Sequence, residues 1–136
     1  MKNILILIII CFLAISCSDG IVSECETDLS NIVINSNFNS IQKNIFNKNC
    51  ATSGCHIGTF AAAGLDLSEG NAYKNIVGVK SSSNLMYIEP GNSNNSYLFQ
   101  RISSQNIGNV MPPTGRLNQK YIDSLKLWID NGAPNN

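Results

Sequence analysis

Cys50, Cys55 and His56 fall within the seven-residue run Cys50-Ala51-Thr52-Ser53-Gly54-Cys55-His56, and His56 is the only histidine in the chain. A fold that carries this run must build one loop on which two thiols and an imidazole sit together. Gly54 relaxes the backbone just before the second cysteine, where such a loop has to turn. The residue types narrow the chemistry. A closed zinc site takes four Cys or His ligands; the run offers three, leaving Cys25 or a carboxylate to complete the set. A nucleophilic cysteine paired with His56 needs an orienting acid and an oxyanion motif, and neither lies nearby in sequence. A small disulfide loop between Cys50 and Cys55 remains a structural alternative.

The start of the chain reads as a targeting segment. Lys2 precedes an apolar run of twelve residues, Ile4 to Ile15, too short for the roughly 20 that a membrane-spanning helix needs and laid out as a signal peptide. Ala14-Ile15-Ser16-Cys17 resembles a bacterial lipobox, in which cleavage before the cysteine leaves it to carry lipid. The expectation is a signal over residues 1–16, lipid on Cys17, and a mature chain of 120 of the 136 residues, one domain of ordinary size. An ordinary cleavage site followed by a free Cys17 is the alternative. Loss of the signal removes Lys2 and no acid, leaving eight basic against nine acidic residues. That balance offers no basic patch for nucleic acid. Cys25 is left over as an unpaired thiol in an exported chain.

Residues 17–37 form the expected anchor and linker, and the domain proper runs over 38–136. A flexible stretch of 20 residues spans about 25 Å, enough to hold the domain just off a membrane. Ile32-Val33-Ile34 interrupts this polar segment and reads equally as a short strand laid on the domain. Asn39 with Gln42 has the capping-box pattern, and Phe38, Ile41 and Ile45 share one face with Phe46 beside them, so a helix of about ten residues runs into Cys50. A second helix is expected over Glu69 to Val77 with Ser68 as its cap, burying Ala72, Tyr73, Ile76 and Val77. Leu85 to Glu89 is extended and ends at the Pro90-Gly91 turn. A third helix, about Asn94 to Ser103, buries Leu98 and Ile102, with Tyr97 beside them. In the last, Asn118 caps a helix whose apolar positions Tyr121, Ile122, Leu125, Trp128 and Ile129 follow helical spacing, with Gly132 and Pro134 ending it. Amphipathic helices at both ends of a small domain predict an all-α fold in which they cross.

Two cysteines followed at once by a histidine is the order in which C-x-x-C-H runs attach haem, the thiols adding to the vinyl groups and the histidine binding iron. Here the spacer is four residues instead of two. With no second histidine, the sixth iron ligand is expected to be a methionine, and beyond the signal only Met86 and Met111 remain. Met111 lies in Asn109-Val110-Met111-Pro112-Pro113-Thr114-Gly115, where Pro112 biases it toward an extended backbone suited to a strap across a haem face. Met86, within an apolar extended stretch, reads as ordinary core.

In this order along the chain, Ile45-Phe46, Cys50, Cys55-His56, Gly64-Leu65-Asp66-Leu67, Asn71-Ala72-Tyr73, Glu89-Pro90-Gly91-Asn92, Ser96-Tyr97-Leu98, Met111-Pro112-Pro113 and Trp128-Ile129-Asp130-Asn131-Gly132-Ala133 resemble a family of small bacterial mono-haem cytochrome c domains, related to those of planctomycetes and found on exported lipoproteins. The resemblance covers about residues 40–134. It implies one covalent haem c on Cys50 and Cys55, His56 as proximal and Met111 as distal ligand, and a cytochrome c-like helical fold. The expected function is electron transfer by a lipid-anchored carrier on the periplasmic or outer side of a membrane. Its expected partners are redox proteins, with no small-molecule substrate. The enzyme-class rival, a haem peroxidase or oxidase subunit, requires an open sixth position and a distal acid or base, and the lack of a second histidine argues against it.

Overall fold

Asn37, two residues ahead of the expected cap, starts the first helix among the residues that the computed structural model describes, 35–103 and 107–136. The expected signal, the lipid site at Cys17, Cys25 and nearly all of the linker lie outside the described residues. Asn37 is extended, and its side chain accepts the Ser40 amide at 2.8 Å. The shift from Asn39 has a tertiary cause. Asn136, at the far end of the chain, accepts the Phe38 amide through its side chain and the Asn39 amide through its carbonyl. Both residues are thereby drawn inside the helix.

Helix α1 then continues to Asn49 in three pieces, Phe38–Ile41, a wider π-helical turn Gln42–Phe46, and Asn47–Asn49. A π-helical turn reaches one carbonyl further back than an α-helix, as the Asn47 amide does in donating to the Gln42 carbonyl. Gln42 is buried and does not close a capping box. Its amide group donates to Asn47 Oδ1 and to the Leu67 carbonyl instead, joining α1 to the loop beyond the Cys-His run.

A short 3-10 turn at Ala62–Gly64 precedes α2, Ala72–Ile76. The expected start near Glu69 fails because Gly70 has φ +81°, a left-handed conformation that a right-handed helix cannot contain. Residues 68–71 form a turn instead, and Ser68 serves it by accepting the Asn71 and Ala72 amides at its carbonyl. The stretch through Leu85 to Glu89 makes two isolated bridges, Val77 with Ile88 and Lys80 with Met86. Met86 is half-buried and stands outside the hydrophobic core, contrary to its reading as core. The expected third helix divides into a 3-10 turn, Ser93–Asn95, and α3, Tyr97–Ser103, which buries Phe99 as well as Leu98 and Ile102.

The last helix, α4, spans Gln119–Asp130 with Asn118 as its cap, and buries Ile122, Leu125, Trp128 and Ile129 as its spacing required. It meets α1 at an aromatic cluster: the Phe38 ring lies 5.5 Å from Trp128, 5.1 Å from Tyr73 and 6.4 Å from Phe46. The Pro90-Gly91 turn is tied to the end of α4, since Gly91 donates to the Ile129 carbonyl and Ser93 to the Asp130 carboxylate. The domain is all-α, a small helical fold with its terminal helices packed together. No helix among the described residues is long and apolar enough to cross a membrane.

Candidate haem site

Helix α1 delivers Cys50 to the floor of a cavity of about 310 Å³, whose walls include Ile45, Phe46, Leu65, Leu67, Leu98 and Leu125. Cys50, His56 and Met111 all line it, and Tyr87, Tyr97 and Arg101 add polar groups to an otherwise apolar wall. The volume lies at the lower end of the range for ligand cavities. The Cys-His loop is shaped by its own main chain: Cys55 donates to the Thr52 carbonyl and His56 to the Cys50 carbonyl, at 2.9 and 3.0 Å. It is then pinned from outside, the Ala62 amide bonding to the Cys55 carbonyl and the Leu67 amide to the His56 carbonyl.

The imidazole is oriented by a single contact. His56 Nδ1 lies 3.1 Å from the Ala62 carbonyl oxygen. A carbonyl only accepts, so Nδ1 donates this bond, and in the neutral imidazole the lone pair then lies on Nε2. This is the form in which a histidine binds a metal ion, with the second nitrogen held by a main-chain carbonyl.

Cys50 and Cys55 are free thiols. Burial, and then the neighbouring Cys55, push the Cys50 thiol up to about 12, so at neutral pH it is a protonated thiol. A resting nucleophile has to be a thiolate, so this environment does not activate Cys50 for nucleophilic catalysis. Among the described residues no three His, Cys, Asp or Glu side chains are grouped to hold a metal ion. Cys55 stands half-buried on the same loop and does not line the cavity. Of the two candidate methionines only Met111 lines it; Met86 does not.

Asp66 braces the loop from behind. Its carboxylate accepts the Gly58 amide at 3.1 Å, the Ser68 amide at 3.0 Å and the Asn71 side chain at 3.0 Å. Those bonds, led by Ser68, hold its pKa below the usual aspartate value. The sequence gives no hint of the Ala62 carbonyl, because a main-chain acceptor carries no residue signature. Arg101 left a faint one: it follows Tyr97 by four residues, the spacing of neighbours on one helix face.

The donor set suits haem: an imidazole nitrogen with a free lone pair, a thioether sulfur, two thiols on the loop that carries the imidazole, and apolar walls to exclude water. Residues 53–115 match the family model described as planctomycete cytochrome C, a stretch that includes Cys55, His56 and Met111 and begins just after Cys50. Comparison with curated proteins and with solved structures gives no match. The match supports a planctomycete-type cytochrome c-like domain over residues 53–115, just under half of the chain.

Proposed function

We propose that this protein is a lipid-anchored mono-haem cytochrome c that carries electrons on the periplasmic or outer side of a membrane. The observation that carries the reading is the contact of His56 Nδ1 with the Ala62 carbonyl, on the wall of a largely apolar cavity that Cys50 and Met111 also line, which would leave Nε2 to bind iron. In this reading Cys50 and Cys55 would hold one haem by thioether bonds, and His56 and Met111 would bind its iron. The group, when bound, supplies reversible one-electron exchange at iron. The rest is the work of the chain. Leu65, Leu67, Leu98 and Leu125 line the cavity and would keep water from the ring, which together with a His and Met ligand pair would favour a raised potential. The helix that leads into Cys50 and the braced loop up to Leu67 would hold the imidazole in one orientation, which would keep reorganisation on electron exchange small.

Residues 1–16 would act as the signal, Cys17 as the lipid-bearing residue and 17–37 as the tether of a haem domain over 38–136. Redox proteins would be its partners, and no substrate would be turned over. The test is a redox titration followed by visible absorption on protein made with a working haem-attachment system. A reversible one-electron transition with the spectrum of a six-coordinate cytochrome c is expected. A protein without visible absorption, with Cys50 and Cys55 joined as a disulfide, would overturn the reading.

A further inference from the structure

Met111 sits on a strap whose described part, residues 107–116, is mostly exposed and reaches the core at Leu117. An iron ligand on such a segment needs to be held in place. Arg101 ties the strap to the domain through two hydrogen bonds: the Met111 amide donates to the Arg101 carbonyl at 2.9 Å, and Arg101 Nε donates to the Asn109 carbonyl at 3.0 Å. Between them the guanidinium runs past Gly108, where a Cβ would meet it at 3.9 Å.

The same side chain is anchored on its other side. Arg101 Nη1 donates to the Tyr97 hydroxyl at 2.9 Å, and the guanidinium lies 5.6 Å from the Tyr97 ring centroid. Tyr97 is itself fixed, its amide bonding to the Met86 carbonyl. Arg101 and Tyr97 both line the cavity that His56 and Met111 share. A planar, charged fork with two bonds in different directions holds a geometry that lysine, with one mobile ammonium, does not.

We propose that Arg101 is a positioning residue for the sixth iron ligand, clamping the 109–111 strap against Tyr97 so that the Met111 thioether stays on the haem. The inference rests on the reading of Met111 as distal ligand, and the test separates the two. Carbon monoxide is added to the reduced, haem-loaded wild type and to Met111→Ala, Arg101→Gln, Arg101→Lys and the Arg101→Gln/Met111→Ala double variant. The wild type should react slowly and Met111→Ala quickly. Arg101→Gln should react about tenfold faster than wild type, the effect of losing a charge-assisted bond or two, with a weakened methionine-to-iron absorption band in the oxidised form. The double variant should be no faster than Met111→Ala, since both changes act on one bond. Arg101→Lys should stay close to Arg101→Gln, because it restores charge without the fork. Amide exchange at Met111 should rise in Arg101→Gln.

A slow wild type with an equally slow Arg101→Gln overturns the role of Arg101 alone, and so does wild-type behaviour in Arg101→Lys. A wild type as fast as Met111→Ala overturns the ligand assignment and the clamp with it. If Arg101→Gln fails to retain haem, Tyr97→Phe decides in the same way: faster carbon monoxide binding supports the clamp, and an unchanged rate refutes it.

Discussion

Replacing Phe38 with alanine removes the side chain on which both ends of the domain close. Phe38 is 7% exposed and meets Trp128, Tyr73 and Phe46 at ring distances of 5.5, 5.1 and 6.4 Å. Truncating a buried phenylalanine costs about 3–5 kcal/mol in lost transfer energy and residual cavity. Its edge-on contacts with Tyr73 and Phe46 push toward the upper part of that range, since each well-oriented aromatic pair is worth about 0.5–1.5 kcal/mol. The surrounding side chains cannot collapse easily, because Trp128 is fully buried and its indole N–H is fixed on the Pro134 carbonyl. A loss of about 4 kcal/mol is a large share of the roughly 5–15 kcal/mol that holds a small domain. Urea unfolding of wild type and Phe38→Ala, followed by Trp128 fluorescence, measures it. Tyr73→Phe, which removes only the hydroxyl bond to Ala133, should cost about 1 kcal/mol in the same assay. A Phe38→Ala loss below about 1.5 kcal/mol would refute the view that the terminal helices are locked together by this cluster.

Asp66 should make the Cys-His loop acid-sensitive. Its folded pKa lies below its ordinary value of 3.8, so its contribution is fully present above that value and is lost as pH falls through the folded one. Amide protection at Gly58 should therefore drop as pH falls below about 4, and Asp66→Asn should abolish that dependence; an unaltered profile would refute the brace. Cys17→Ser should release the protein from membranes or stall its processing, because stable anchoring depends on the acyl chains, and unchanged fractionation would sink the anchor. Met111→Ala should lower the reduction potential, as loss of a thioether ligand does. Met86→Ala should leave the spectrum and potential unchanged, and a shift with Met86→Ala alone would move the ligand to that residue.

How far the sequence reaches is clearest at the two ends of the domain. Helix α4 was legible because every signal for it is local: a capping asparagine, apolar residues at helical spacing, and glycine then proline at the end. Helix α1 was legible as a helix but not in its cap or its inner geometry. Asn136 chooses where it starts, and the π-helical turn arises from packing around Gln42 and not from any residue pattern. Gly70 defeated the start of α2, since a glycine in a helical pattern is compatible with both helix and left-handed turn.

In the site, the side chains with chemistry were legible from their types. His56 stood out as the sole histidine, next to a cysteine, and Met111 as a methionine in a proline-bounded strap. The groups that orient them were not. The Ala62 carbonyl and the carbonyls that tie the strap to Arg101 belong to the main chain, which is chemically the same at every residue. Such partners emerge only once the chain is folded.

The mass of the denatured polypeptide tests the account most directly. Protein made in a host with a working haem-attachment system is extracted with acid and organic solvent, and its mass and the state of Cys50 and Cys55 are read. The account predicts a chain carrying the mass of one haem, with thioether bonds at both cysteines and the haem retained through extraction. An unmodified chain, with both thiols free or joined to each other, would contradict it.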